Sequence, residues 1–378
     1  LSPGETALSG WAVSSGRVDI LWDFMPNFHV VMNWATDLDA IERRAAEGQA
    51  PRHSLPILAR RLGGTLHQAM RNPPPPSLAD RARSKLIGMP GSWSFARDFA
   101  SQLGSDDVVY CLDEIIGVPL ASVLRRRKSN RPKLVVFLVN IVRPRGKLAL
   151  KLLRMVDAVD LFVAACTTQF DFLRDEWKVS DDRMFLQLEH LDNRFYTPGP
   201  ATPGKTRPMI AAAGMEKRDY RTLAAATQDL DVDVKVGAWS PIATSLAKTF
   251  PPELPANMTR SRYQPTELVQ LYRDADIVAA SLFPANYAAG ITSMMEGLAC
   301  GRPVVVTRSP GLSDYLSPSD GLSVVEPGDP AAMRAAIVKL LENPAAAEAQ
   351  GRQGLELATR RYDFDRSVET IATRLEAL

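Results

Sequence analysis

Residues 283–307 read FPANYAAGITSMMEGLACGRPVVVT, which sets a glycine, Gly290, ahead of two hydroxyl residues, Thr292 and Ser293, and one acid, Glu296, in an apolar helical stretch. The chemistry open to such a run is anion and polyol binding. A helix N-terminus offers unpaired N–H groups and the positive end of the helix dipole. A glycine there lets backbone approach a phosphate, and a carboxylate one turn further accepts hydrogen bonds from sugar hydroxyls. Phosphate on Gly290, Ile291, Thr292 and Ser293, with a ribose on Glu296, makes a nucleotide-diphosphate site. The bland reading is a plain cap, with Thr292 or Ser293 as N-cap, and one loop can do both. Lys217 and Arg218 follow Gly214 at the end of an apolar run. A guanidinium there clamps two phosphate oxygens and lowers the cost of a departing diphosphate; the alternative is a solvated pair at a helix start.

Other candidates lie at strand or segment ends in the first half, because ligands of open α/β sheets bind at the carboxyl ends of the strands. Asn140 suits a sugar hydroxyl, Asp113 or Glu114 an acceptor, and His29 a cleft wall, while His190 precedes a linker. For each of them a structural role reads equally well. Asp-x-Asp pairs at Asp37/Asp39, Asp231/Asp233, Asp274/Asp276 and Asp363/Asp365 fall on helix starts, turns and one strand edge, so no metal site is expected from them.

The elements that must position these groups alternate between short β-branched runs and helical stretches. Strands are expected at Val18–Phe24, Thr65–Ala69, Asp107–Leu112, Leu134–Val139, Leu161–Ala165 and Met184–Leu188. A second series follows at Met209–Ala213, Val232–Val236, Asn257–Thr259, Asp276–Ala280, Pro303–Thr307 and Leu322–Val325. Helical patterns lie between, among them Leu78–Leu86, Trp93–Leu103, Pro119–Arg127 and Thr168–Glu176, and the sequence ends in one interrupted near Tyr362–Asp365. Alternation of this kind implies an α/β class with parallel sheets covered on both faces. The series occurs twice, broken at the Pro- and Gly-rich run Thr197–Pro208. We expect a first domain over 1–200, a second over 201–360, and a helix over 361–378 that crosses back. Pro73–Pro76 reads as a stiff surface spacer.

Composition excludes several classes. A chain of 378 residues, 46% hydrophobic and 23% charged, is globular and long enough for two cores. A net charge of +2 excludes a strongly basic nucleic-acid binder. Cys111, Cys166 and Cys300 are widely spaced and odd in number, as in a reduced cytoplasmic protein. No apolar run reaches the length of a transmembrane helix. The start, LSPGETALSGW, lacks the pattern of a signal peptide and its first residue is Leu rather than Met, which reads as a trimmed start. Residues 115–156 hold eleven Lys or Arg and no acid. Such a face, with the amphipathic run Gly146–Val156, suits peripheral contact with an anionic membrane through the basic region 125–154, or a solvated surface.

Taken in order, these pieces resemble the retaining glycosyltransferases of family 4, among the group 1 glycosyl transferases. The resemblance runs from about Asp107 to the end of the sequence. Tyr287–Val306 is similar to the family signature of two acids seven residues apart followed by Ala-x-Ala-Cys-Gly-x-Pro-Val-Val, and Leu188–Pro198 to its closing segment of the first domain. Gly214–Leu223 resembles the glycine turn and basic residue that open the second domain, and Glu267–Pro284 the helix and strand ahead of the acids. The resemblance implies the GT-B fold of two facing Rossmann-like domains, a nucleotide-diphosphate sugar as co-substrate and no metal. It implies a ribose contact for Glu296, phosphate contacts for Gly214, Lys217 and Arg218, and a base-flanking place for Tyr263. Three departures stand out: Ala288 occupies the place of the first acid, leaving Asn286 as the nearest polar group; Met215 occupies that of the arginine; and Val139–Asn140 stands where a histidine is common. The expected activity is transfer of a sugar to a hydroxyl acceptor of unspecified kind. The alternative is an inactive GT-B protein that binds a nucleotide sugar or acts as a scaffold. A nicotinamide-dependent dehydrogenase fails for want of a Gly-x-Gly-x-x-Gly after a strand.

Overall fold

The computed structural model describes residues 26–127, 130–142, 144–238, 248–316 and 321–378. Two six-stranded sheets carry the molecule. The first comprises β1 (Phe28–Met32), β2 (Thr65–Gln68), β3 (Val108–Cys111), β4 (Lys133–Leu138), β5 (Leu161–Ala164) and β6 (Met184–Leu186), in the order β2-β1-β3-β4-β5-β6. The second comprises β7 (Met209–Ala213), β8 (Asp233–Gly237), β9 (Met258–Ser261), β10 (Ile277–Ala280), β11 (Val304–Thr307) and β12 (Leu322–Val325), in the order β12-β11-β10-β7-β8-β9. Every strand pair is parallel.

The reason is visible in the strands. β4 (KLVVFL) and β11 (VVVT) are continuous apolar runs, as strands covered on both faces require. Successive residues point to opposite faces, so Leu134, Val136 and Leu138 enter one core while Val135 and Phe137 enter another. The second sheet is divided in the same way, with Ala211 and Ala213 in one core and Ile210 and Ala212 in the other.

The candidate strand Val18–Phe24 lies outside the described residues, and the first described strand, Phe28–Met32, which holds His29, is an addition to the expected series. The helix expected to begin at Pro119 begins at Glu114 and runs to Leu124 with Pro119 inside it. Its start is fixed by Asp113, whose carboxylate accepts from the Ile116 amide at 3.1 Å as an N-cap.

Two segments join the sheets side by side. The Leu191 amide donates to the Tyr362 carbonyl at 3.0 Å, and Leu191 pairs with Asp363 in parallel. Arg52 ties the crossing together, donating through Nε to Asp192 at 3.0 Å and through Nη1 to Asp365 at 2.6 Å. Beyond it the helix Phe364–Glu376 packs on the first sheet. Phe364, Val368, Ile371, Ala372 and Leu375 share a core with Leu55, Leu58, Val30 and Val135.

Candidate functional site

In the second sheet the chain reverses its direction of winding between β7 and β10, and a crevice opens at such a switch point. Both strand ends there lead into positive-φ glycines: Gly214 (φ 100°) after β7 and Gly290 (φ 81°) before the helix Ile291–Ala299. Arg218 lies between them. A Cβ on Gly214 would overlap its Nη2, and a Cβ on Gly290 its Nη1 and the Leu282 side chain. The two glycines are thus the walls of a slot for one guanidinium. Arg218 is 4% exposed. It donates from Nε to the Ala213 carbonyl at 2.6 Å, from Nη1 to the Glu216 carbonyl at 3.3 Å, and from Nη2 to Ser293 Oγ at 2.9 Å. The loop is held to the end of β10: the Asp219 amide donates to Ser281 at 3.0 Å and the Phe283 amide to Lys217 at 2.8 Å.

The helix Ile291–Ala299 has no side-chain cap at its first turn. Ser293 instead accepts from Arg218, so the guanidinium and the helix N-terminus present positive charge together. They face a cavity of about 300 Å3 between the sheets. Gly214, Glu216, Arg218, Ala288, Gly290 and Thr292 line it from one side, and Phe137, Leu138, Val139, Ala165 and Glu189 from the other.

The walls are latched. Asp314, beyond β11, accepts from the Thr167 amide at 2.7 Å, at the start of the helix Thr167–Trp177 of the first domain. Thr168 donates to the Pro310 carbonyl at 3.0 Å, and the Tyr315 hydroxyl to the Ala165 carbonyl at 2.7 Å.

A second cavity, of about 590 Å3, opens at the carboxyl ends of β3 and β4, lined by Lys85, Met89, Glu114, Ile115, Asn140 and Pro144 among others. Glu114 shapes it by accepting from the amides of Val139 at 2.8 Å and Asn140 at 3.1 Å. The cavities adjoin along the chain, because Val139 lines the first and Asn140 the second.

Not every expected residue reaches these spaces. His29 is the second residue of β1, at the opposite end of the sheet, 3.1 Å from His67 and 3.5 Å from Asp107, and it lines neither of these two cavities. The Glu296 carboxylate is buried and lines neither of these two cavities, and its Oε2 accepts from the Tyr272 hydroxyl at 2.7 Å. Burial pushes its pKa up, opposed by hydrogen bonds from Tyr196 and Tyr272. Lys217 lies outside the 300 Å3 cavity and contributes its left-handed backbone (φ 56°) and its carbonyl to the turn. Ile291 is buried in the core, so only its backbone is available, and Asn286 is exposed on the loop outside the cavity. Tyr263 covers Gly237 at the carboxyl end of β8. Asp113 caps its helix, and burial, with Glu114 beside it, pushes its carboxyl up to about 6. His190 meets Ser367 at 3.1 Å beside the Leu191–Asp363 pairing, and burial lowers its pKa to about 4.

Glu189 is the residue that the sequence reading passed over. It lines the 300 Å3 cavity, and its signal was hidden in the run Leu188–Pro198, read there only for its likeness to a domain-closing segment.

The basic region is partly neutralised: Arg131 and Lys133 meet Asp160, Lys147 meets Glu176, and Arg154 meets Asp157. Lys128, Arg143 and the Arg145 side chain lie outside the described residues. Leu148 and Leu152, one turn apart on the helix Pro144–Leu153, are 45% and 59% exposed. No helix among the described residues is long and apolar enough to cross a membrane. No cluster of three metal-ligating side chains occurs among them either. The Asp-x-Asp pairs serve local structure: Asp37 and Asp363 are N-caps, Asp231 and Asp233 meet Arg207, and Asp276 meets Lys205.

Residues 234–343 match the family model of group 1 glycosyl transferases. No curated protein sequence matches the chain. Among solved structures, the chain is similar to a sucrose-phosphate synthase from Thermosynechococcus elongatus, at a TM-score of 0.67 and 14% identity over 93% of this chain and 99% of that one. It is similar to a UDP-forming trehalose-phosphate synthase from Burkholderia xenovorans, at a TM-score of 0.67 and 14% identity over 93% and 99%. It is also similar to Anabaena Alr3699/HepE in complex with UDP, at a TM-score of 0.66 and 14% identity over 93% and 100%. The fold is therefore GT-B, two α/β units with parallel sheets, and the match to the group 1 glycosyl transferase model falls in the second of them.

Proposed function

We propose that the protein is a retaining glycosyltransferase of the family 4 type, moving a sugar from a nucleotide-diphosphate sugar to a hydroxyl acceptor. The observation that carries the reading is the slot holding Arg218 between Gly214 and Gly290 at an uncapped helix N-terminus, facing a cavity between the domains. In this reading the diphosphate lies on Arg218 and the first-turn amides of Ile291–Ala299, with the base toward Tyr263. The acceptor enters through the 590 Å3 cavity beside Asn140 and Glu114. As the sugar–phosphate bond breaks, Arg218 and the amides neutralise the charge on the leaving oxygen, and that oxygen takes the proton of the attacking hydroxyl on the same face. Closure of the domains limits hydrolysis by water. The reading assigns charge neutralisation to protein groups and includes no metal. Uridine is the first base to try, since one of the similar structures holds UDP.

The exposed pair Leu148 and Leu152, next to Lys151, supports an acceptor met at an anionic membrane surface on the cytoplasmic side. Ala288, in the place of the first signature acid, favours a second reading, a protein that binds a nucleotide sugar without turning it over.

One experiment separates these readings. Binding of UDP, GDP and ADP is measured by calorimetry, and diphosphate release from the matching sugar nucleotides is followed with and without acceptors. The enzyme reading expects micromolar binding of one diphosphate and turnover lowered ~10²–10³-fold by Arg218→Ala. Binding without release across an acceptor panel supports the second reading, and absence of binding by all three diphosphates sinks the site.

A further inference from the structure

Ala288 leaves the second domain without the carboxylate that its signature provides, and the cavity it lines holds two others. Glu216 is exposed and accepts from the Tyr287 hydroxyl. Glu189 enters from the opposite wall. Its backbone is fixed, since its amide donates to the Tyr315 hydroxyl at 2.9 Å and that hydroxyl donates to the Ala165 carbonyl at 2.7 Å. Its carboxylate makes no hydrogen bond or ion pair with any described residue. Burial pushes its pKa up, and Tyr110 and Tyr315 stand close enough to feel its charge. Glu189 is half-buried at the cavity wall, and a carboxylate partly withdrawn from water without a protein donor is open to donors from a ligand. A ligand in the cavity supplies the missing donors. The groups that suit an acceptor-only oxygen pair are neutral hydroxyls, because a diphosphate would be repelled and already has Arg218.

We propose that Glu189 binds hydroxyls of the transferred sugar, taking over from the first domain the role that Ala288 cannot fill. The inference rests on the donor-site reading above and adds to it the residue that holds the sugar. It also makes recognition of the sugar conditional on closure, because the phosphate contacts and the sugar contact then belong to different domains. A cavity of about 300 Å3 is at the small end of ligand sites, which suits one sugar ring against the phosphate slot.

The test compares wild type, Glu189→Gln and Glu189→Asp in the full chain. Calorimetry is run with the diphosphate that binds best among UDP, GDP and ADP, with its glucose conjugate, and with conjugates of the singly deoxygenated sugars. The diphosphate alone should bind all three proteins equally. The glucose conjugate should lose ~10-fold or more in affinity for each variant, as expected for a hydrogen bond to a charged group. At least one deoxy conjugate should bind wild type and Glu189→Gln alike, a coincidence that loss of packing would not produce. Glu189→Gln removes no protein hydrogen bond, so its melting temperature at pH 8 should equal or exceed that of wild type. If both variants keep the full affinity for the glucose conjugate, the inference is wrong. If no diphosphate binds wild type, the donor-site reading itself has failed, a result distinct from the first.

Discussion

Replacing Gly290 by alanine tests the slot directly. Two penalties act on the folded protein. The residue sits at φ 81°, where a side chain with a Cβ is unfavourable by ~1–2 kcal/mol. The new methyl also overlaps the Leu282 side chain and Arg218 Nη1. Leu282 can turn, but Arg218 is held by Ala213 and Ser293, so the overlap should add ~1–3 kcal/mol as other overpacked sites do. Stiffening of the unfolded chain returns ~0.4–1 kcal/mol. The net expectation is a loss of ~2–4 kcal/mol. Gly328→Ala is the control, because Gly328 has φ 71° and nothing within 4 Å of the added Cβ. It should lose only ~0.5–1.5 kcal/mol. Urea unfolding at constant slope gives both values, and calorimetry on the folded variants gives diphosphate affinity. Gly290→Ala should bind the diphosphate ~10-fold or more weakly, through displacement of the guanidinium, while Gly328→Ala binds normally. Equal stability losses in the two variants would refute the slot, and a large stability loss with unchanged affinity would detach Arg218 from the phosphate.

Four further outcomes are expected. Glu296→Ala strands the hydroxyls of Tyr272 and Tyr196 in the core and should lower stability by ~2–5 kcal/mol in urea unfolding; weaker diphosphate binding at unchanged stability would return Glu296 to the site. Asp113→Asn keeps the helix cap but removes a carboxyl raised from 3.8 to about 6. A raised pKa means that the folded state holds the proton longer, so wild type loses stability as pH climbs from about 4 to about 6; the variant should lack that slope and be ~1–3 kcal/mol more stable at pH 7, and parallel pH profiles would contradict this. Asp314→Ala removes the acceptor for the Thr167 amide and hydroxyl, so small-angle scattering should show a larger radius of gyration, the closed form losing ~1–2 kcal/mol; an unchanged radius would show that the latch does not set closure. Leu148→Asp with Leu152→Asp should abolish sedimentation with vesicles containing phosphatidylserine, and wild type that fails to sediment ends the membrane proposal.

The sheets were legible because buried parallel strands are written as local apolar runs, and eleven of the twelve strands among the described residues overlap an expected segment. The missed strand, Phe28–Met32, is apolar too, but His29 interrupts it, and inside the fold that histidine is accommodated by His67 and Asp107. The helix over 114–124 was read as starting at Pro119 because proline favours a first turn; the capping carboxylate of Asp113 sets the start instead. In the site, Gly214, Arg218 and Gly290 were each legible from local spacing, but their mutual contact was not, since 75 residues separate Arg218 from Ser293. The partner of Glu296 is hidden for the same reason: nothing near it in sequence announces Tyr272, 24 residues away. Glu189 sits in the run Leu188–Pro198, whose likeness to a domain-closing segment says nothing of its carboxylate, and only the meeting of two domains makes it conspicuous.

The helix Phe364–Glu376 also bears on the order in which the molecule is assembled. Its five apolar residues fill a core whose other members come from the first domain, and Arg61 reaches Glu369 across 308 positions of chain. Contacts so distant in sequence form late, after the intervening segment has been ordered. Without that helix the first domain leaves apolar side chains on one face of its sheet uncovered. The fold is in this way closed by its own last helix, and a protein truncated before Phe364 would present apolar sheet surface to other chains instead of a slightly smaller enzyme.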